Sequence, residues 1–258
     1  MSSSPPGALL RQWRTRRRFS QLDLALAAEV STKHLSYIET GRARPSPEMV
    51  LHLCEHLDIP LKRRNEILLA AGHAPRYGHT VYDPSVDSEV RTTIDQLIAA
   101  HLDPTIAVDG DWNLLASNPA AVVFLDGVAP HLLTPPTNVI RMSLHPDGLA
   151  ARVANFDDYA GHVLARVRQA TAASPSATLD QLLDEFGHLA SRPTRSSPDI
   201  FLTLDLRTAA GVISFFSTIT VFGSPRDVAL DEVALETFHP ADPSSRANLD
   251  AALRPHRA

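Results

Sequence analysis

Residues 20–46 run Ser20-Gln21-Leu22-Asp23-Leu24-Ala25-Leu26-Ala27-Ala28-Glu29-Val30-Ser31-Thr32-Lys33-His34-Leu35-Ser36-Tyr37-Ile38-Glu39-Thr40-Gly41-Arg42-Ala43-Arg44-Pro45-Ser46, a pattern that predicts two helices separated by a tight turn. Ser20 and Ser31 stand where a side-chain oxygen caps a helix N-terminus, and Gly41 where a helix stops. Ala25 supplies a small residue where the helices touch. Val30, Leu35 and Ile38 supply apolar side chains after the turn and along the inner face of the second helix. Thr32, Lys33, His34 and Ser36 are left facing outward, and donors near the N-terminus of such a helix can reach base edges in the major groove of DNA. Gln21 is expected to aim its amide at a phosphate, and Arg42 and Arg44, beyond Gly41, to clamp the backbone.

The same helical period extends outward from this pair, from Gly7 to Ala74, and predicts five short helices. Leu9, Leu10 and Trp13 form the stripe of the first helix. Ser46 caps the fourth, with Pro47 at its first position, and Pro60 opens a fifth that stops at Gly72. Val50, Leu53, Cys54 and Leu57 share one face of the fourth helix, so Cys54 is expected to be packed rather than reactive. Charge follows the same division. Residues 1–78 carry 12 Lys and Arg against 7 Asp and Glu, whereas the other 180 carry 12 against 22. A net charge of −5 thus conceals a basic module suited to a polyanion, joined to an acidic one that is not.

The run Ser20-Gln21, Ala25, Val30-Ser31, Leu35-Ser36-Tyr37-Ile38-Glu39-Thr40-Gly41-Arg42, Pro45-Ser46 resembles the lambda-repressor/Cro type of helix-turn-helix regulator. The resemblance covers about 65 residues. One departure is Glu29, where that family's turn usually has a glycine for a left-handed backbone.

Beyond Gly72 the connector His73-Ala74-Pro75-Arg76-Tyr77-Gly78-His79 loses helical periodicity. The expected division is a helix-turn-helix domain over residues 1–75, a linker over 76–87 and a second domain over 88–258. In the second domain Ser88 is placed to cap a helix that breaks at Asp103-Pro104. Strands are expected at Thr105–Val108 and Trp112–Ala116, with Asp109-Gly110-Asp111 as the turn. A helical block follows, capped by Asn155 and by Thr178 with Gln181. The period then returns to two at Phe201–Leu206, Val212–Phe222 and Val233–His239. Five strands with helices inserted after the second suit one antiparallel sheet covered by helices.

This second part resembles the PAS-like ligand-binding domain of the MmyB-like transcription regulators. The motifs are Asp111-Trp112-Asn113, Asn118-Pro119-Ala120-Ala121, Asn138, Arg141, His145-Pro146-Asp147-Gly148, Phe216-Ser217-Thr218-Ile219 and Phe238-His239-Pro240-Ala241-Asp242. The fold class expected is therefore multi-domain: an all-α five-helix helix-turn-helix domain followed by an α/β PAS-like domain with an antiparallel sheet. The resemblance implies a cytoplasmic, homodimeric regulator that binds a double-stranded DNA operator and senses a small apolar ligand, with a fatty acid among the candidates. Trp112, Phe156, Phe201, Phe215 and Phe216 are the pocket candidates, against the plainer reading of aromatic core residues. Arg141 is a candidate for a ligand carboxylate, against the plainer reading of a salt bridge with one of the domain's acids.

Other classes find little support. No G-x-S-x-G, H-E-x-x-H, G-x-G-x-x-G or G-x-x-x-x-G-K occurs, so an enzyme is not expected. The single cysteine excludes an internal disulfide and a Cys-rich zinc site, and the start Met1–Trp13 lacks the apolar stretch of a secretory signal. No cofactor and no metal is expected, although His145 and His239 are the best-placed donors among 12 histidines. Thr208–Pro225 is uncharged, yet its six Ser and Thr among Val, Ile and Phe suit a buried strand better than a membrane helix, and no membrane partner is expected. The alternatives are a constitutive DNA-binding regulator whose second domain dimerises or contacts a protein, and an antitoxin-like module.

Overall fold

Serine side chains start three of the first five helices in the computed structural model, which describes residues 4–78, 89–189 and 202–256. The helices are α1 (Pro6–Arg16), α2 (Gln21–Ala27), α3 (Thr32–Glu39), α4 (Pro47–His56) and α5 (Leu61–Ala70). Ser20 Oγ accepts the Asp23 N–H at 3.1 Å and the Asp23 carboxylate accepts the Ser20 N–H at 2.9 Å, a reciprocal capping box. Ser31 and Ser46 accept the N–H groups of His34 and Met49. The turn before α3 carries Glu29 at φ +52°, the left-handed conformation expected there, at a cost of about 1–2 kcal/mol for a residue with a Cβ.

Inward positions of all five helices form one core, including Leu10, Trp13, Ala25, Leu35, Ile38, Leu53, Cys54 and Ile67. Burial pushes the Cys54 thiol up to about 12, so it stays protonated and packed. At Gly7 a Cβ would run into the Ile38 carbonyl, so only glycine lets α1 lie this close to α3. The Glu39 side chain, 1% exposed, accepts from Arg14 Nε at 2.6 Å, Arg14 Nη2 at 3.0 Å and Gln21 Nε2 at 2.8 Å. One buried carboxylate thereby ties α1, the start of α2 and the end of α3.

The described residues divide into two compact units, and the N-terminal one also contains Ser224–Asp231 from far along the chain. This segment supplies what α5 lacks. Pro60 has no group to cap α5, and the Leu61 N–H donates instead to the Asp231 carboxylate at 2.7 Å. Val228 is buried beside it, and its N–H donates to the Gly78 carbonyl at 2.8 Å.

The second unit contains α6 (Glu89–Ala99), β1 (Thr105–Val108), β2 (Leu114–Ser117), α7 (Val139–Leu144), α8 (Phe156–Ala173), α9 (Ala177–Phe186), β3 (Leu204–Thr208), β4 (Gly211–Val221), β5 (Ala234–Pro240) and α11 (Pro243–Leu253); the short α10 (Val228–Glu232), which precedes β5, belongs to the N-terminal unit up to Asp231. The five strands form one antiparallel sheet in the order β2-β1-β5-β4-β3, with helices inserted between β2 and β3 as expected. Thr237 of β5 stands opposite Thr105 on one side and Thr218 on the other. One apolar cluster joins the sheet to the 3-10 turns after β2 and to α7 and α11, and another joins α7, α8 and α9. Trp112, Phe156 and Tyr159 pack against both.

Several boundaries differ from the sequence reading. β2 begins at Leu114 rather than Trp112, because Trp112 takes φ +66° and cannot continue a strand. β3 begins at Leu204, and Phe201 and Ser88 lie outside the described residues. Asn155 does not cap α8: its amide donates to the Thr203 carbonyl at 2.7 Å and its oxygen accepts the Asp205 N–H at 3.0 Å, pinning the helix start to β3. α9 is capped by Ser176, which has the extended backbone a cap requires, rather than by Thr178, already inside the helix. Thr208–Pro225 contains strand β4, and among the described residues no helix is long and apolar enough to cross a membrane.

Asp231→Ala is expected to lower the stability of the N-terminal unit by about 1 kcal/mol, the usual loss on removing a capping oxygen. The check is faster amide exchange in the first turn of α5, with exchange in α7–α9 unchanged.

Candidate functional site

Among the described residues, each unit has a surface that carries chemistry. On α3, Thr32, Lys33 and His34 are exposed and Ser36 is half-buried, whereas Leu35 and Ile38 are buried. The Lys33 ammonium lies 5.7 Å and the Arg42 guanidinium 6.0 Å from the Tyr37 ring, so both cations border one exposed patch. Gln21 lies at the N-terminus of α2 as expected, but its amide is already held by Glu39. Arg44 Nε and Nη2 donate to the Ala71 carbonyl at 3.2 and 3.0 Å, so this guanidinium closes the C-terminus of α5. Arg14 and Arg17 are likewise engaged internally: Arg14 with Glu39 and the Phe19 carbonyl, Arg17 with the carbonyls of Leu57 and Asp58.

In the second unit a cavity of about 120 Å³ lies between the sheet and the inner faces of α7 and α8. Its sheet side holds Ile106, Leu114, Leu204, Phe215, Ser217, Glu236 and Phe238. Its helix side holds Val139, Met142, Tyr159, His162, Val163 and Arg166. Tyr159, His162, Val163 and Arg166 recur at helical spacing and form one stripe of α8. On β5, Glu236 and Phe238 point the same way because the strand period is two.

Trp112 reaches this cavity from a constrained turn. Asp109 Oδ1 accepts the N–H groups of Asp111 at 2.9 Å and Asn113 at 2.8 Å, and Asn113 Nδ2 donates to Asp109 Oδ2 at 3.0 Å. These bonds hold Trp112 at its positive φ, a strain of the kind that collects at binding sites. The Arg166 guanidinium lies 4.5 Å from the Trp112 ring centre. Arg166 Nη1 also donates to Glu236 Oε1 at 2.8 Å, while Nη2 lies 3.5 Å from Oε2. Burial pushes the Tyr159 phenol up to about 12. Partial desolvation of a side chain that stays exposed, and then the Arg166 charge, hold the His162 imidazole below its ordinary range.

Of the ligand candidates read from sequence, Trp112 and Phe215 line the cavity. Arg141 does not. The turn of α7 that sends Val139, Ile140, Met142 and Ser143 inward sends Arg141 outward, where Nε and Nη2 grip Glu185 at 3.0 and 2.9 Å. Phe156 packs between the two apolar clusters, one turn before the lining residues. Phe216 lies on the sheet face opposite Phe215, 5.1 Å from the His239 ring, because a one-residue step along a strand reverses the face. Arg166, Glu236 and His162 were missed, although the spacing from Tyr159 to Arg166 could have shown polar groups on the inward stripe of α8. His131, His145 and Asp147 place donor atoms within 4.8 Å of one another, and His145 Nδ1 accepts the Asp147 N–H at 3.0 Å.

Comparison with known families gives two matches. Residues 90–252 match the MmyB-like transcription regulator ligand binding domain, and residues 7–67 match a helix-turn-helix domain. No curated protein matches the chain.

Because the unfolded chain protonates His162 more readily than the folded one, protonation favours unfolding. The C-terminal unit is expected to lose stability as pH falls through about 6.5, and His162→Gln to remove that part of the loss. Asp103 acts in a lower window. Burial raises its pKa, but Arg246 and His239 outweigh that and hold the carboxyl below its ordinary value, so its contribution disappears only under strongly acid conditions. Melting temperatures of the two proteins between about pH 8 and pH 5.5 are the measurement.

Proposed function

Because the chain belongs to the family of the MmyB-like transcription regulators, we propose that it is a sequence-specific DNA-binding regulator. In this reading, a small apolar ligand in the cavity between the sheet and α8 modulates its operator affinity. The observation that carries the ligand half is the cavity itself. At about 120 Å³, with mostly apolar walls, it is close to the size at which buried apolar cavities take up a benzene-sized guest. A fatty acid is one ligand of this general character. The DNA half rests on the exposed donors of α3 behind a helix-turn-helix core.

Residues Thr32, Lys33, His34 and Ser36 read base edges in this proposal, while Arg42 and the N-terminus of α2 at Gln21 meet phosphates. Arg44 is left to hold α5, and its contribution to DNA is indirect. A ligand alters DNA affinity only through its different affinities for the competent and incompetent states, so a tenfold effect needs about 1.4 kcal/mol of coupling. By reciprocity, operator DNA shifts ligand affinity by the same factor.

Lys33→Ala or His34→Ala is expected to relax sequence preference, with a loss of about 1–3 kcal/mol for a base contact, whereas Arg42→Ala weakens all sequences alike and reduces the salt slope by about one. Competition binding at two salt concentrations checks both. Preference left intact by both α3 variants would remove α3 as the reading helix.

A single module buries only about 600–1,000 Å², too little for the usual specific affinity, so a homodimer is proposed. Footprinting should then show an inverted repeat with half-sites about 34 Å apart. Protection of one isolated half-site by a monomer is the opposing result.

A further inference from the structure

We infer that the cavity selects an uncharged ligand: a small apolar body bearing one neutral hydrogen-bonding group, such as a hydroxyl or primary amide, in preference to a carboxylate or an ammonium. This rests on the reading of the cavity as the ligand site and narrows the chemistry that the site accepts. Among the described residues that line the cavity, two are formally charged, Arg166 and Glu236, and they are spent on each other at 2.8 Å. Glu236 is buried in the central strand. The guanidinium face is covered by Trp112 at 4.5 Å. Beside the pair, burial raises the Tyr159 phenol and keeps it neutral, while partial desolvation and the Arg166 charge shift the exposed His162 toward its neutral form. Among the described residues, the polar end of the cavity therefore has no net charge to offer.

A carboxylate entering here has two options. Beside the intact pair, it sets a second anion against Glu236, whose side chain is only 7% exposed and therefore weakly screened by water. Alternatively, it takes Arg166 for itself and strands Glu236 as a buried, unpaired charge, the costlier outcome. An ammonium meets the mirror image of the same problem at Arg166. A neutral group avoids both. Glu236 Oε2 lies 3.5 Å from Arg166 Nη2, a long contact that leaves this oxygen able to accept from a ligand hydroxyl or amide. A fatty acid, on this reasoning, is admitted in its protonated form.

The test uses the full-length protein and four probes of one chain length: 1-hexanol, hexanamide, hexanoate and hexylammonium. Calorimetric titration at neutral pH is expected to show the alcohol or amide binding at least about tenfold more tightly than either ion. Glu236→Gln removes the anion and frees the guanidinium, so its preference should shift toward hexanoate. The shift in melting temperature with each probe gives the same ranking independently. Hexanoate binding the wild-type protein as well as hexanol overturns the inference while leaving the cavity a ligand site. If no probe binds or shifts the melting temperature, the ligand-site reading falls, and the inference with it.

Discussion

The last strand of the chain, Ala234–Pro240, lies in the middle of the sheet, between β1 and β4. The sheet therefore closes only after the whole helical block between β2 and β3 has been laid down. Such non-local pairing carries a large loop-closure cost, which contacts on both flanks and both faces of β5 must offset. Along one face of the strand, Glu236 and Phe238 look into the cavity. On the other, Leu235 and Thr237 are buried, and His239 bonds Asp103 and Thr218 at 2.9 and 3.0 Å. The position of β5 is thus what places a carboxylate opposite α8.

A comparable role in the N-terminal unit belongs to Glu39. Its carboxylate is nearly inaccessible to water, and three donors from Arg14 and Gln21 compensate its desolvation. Those partners fix the angle of α3 against α1 and α2, so the exposed side chains of α3 are presented from a rigid base. The arginines of this unit divide by the same logic. Arg14, Arg17 and Arg44 bond carbonyls or Glu39, while Arg42 stays exposed beside Tyr37. A positive module charge therefore overstates how many cations remain for a polyanion.

The helix-turn-helix was legible because its signals are local: capping serines, the Gly41 stop, apolar spacing, and a left-handed turn whose strain at Glu29 was foreseeable. The strand count and the insertion point of the helices were legible for the same reason, from changes of period. The cavity was much less so. Trp112 and Phe215 reach it, but they were picked by residue type, as were Arg141, Phe156 and Phe216. Each of the last three takes a different place once α7 has a phase, α8 a starting point and β4 a face. Asn155 shows the same limit at a helix end, where two backbone groups near β3 outbid the cap it was expected to make.

What the sequence alone determined was the kind of each element, its chemistry and the two-part organisation of charge, because capping, periodicity and composition act over a few residues. Only the tertiary structure decided which distant groups meet. Asp231 caps α5 across 170 positions, and Arg166 and Glu236 pair across 70. No local pattern encodes either contact, since each exists only after the chain has returned upon itself, and burial then makes leaving either partner alone too costly.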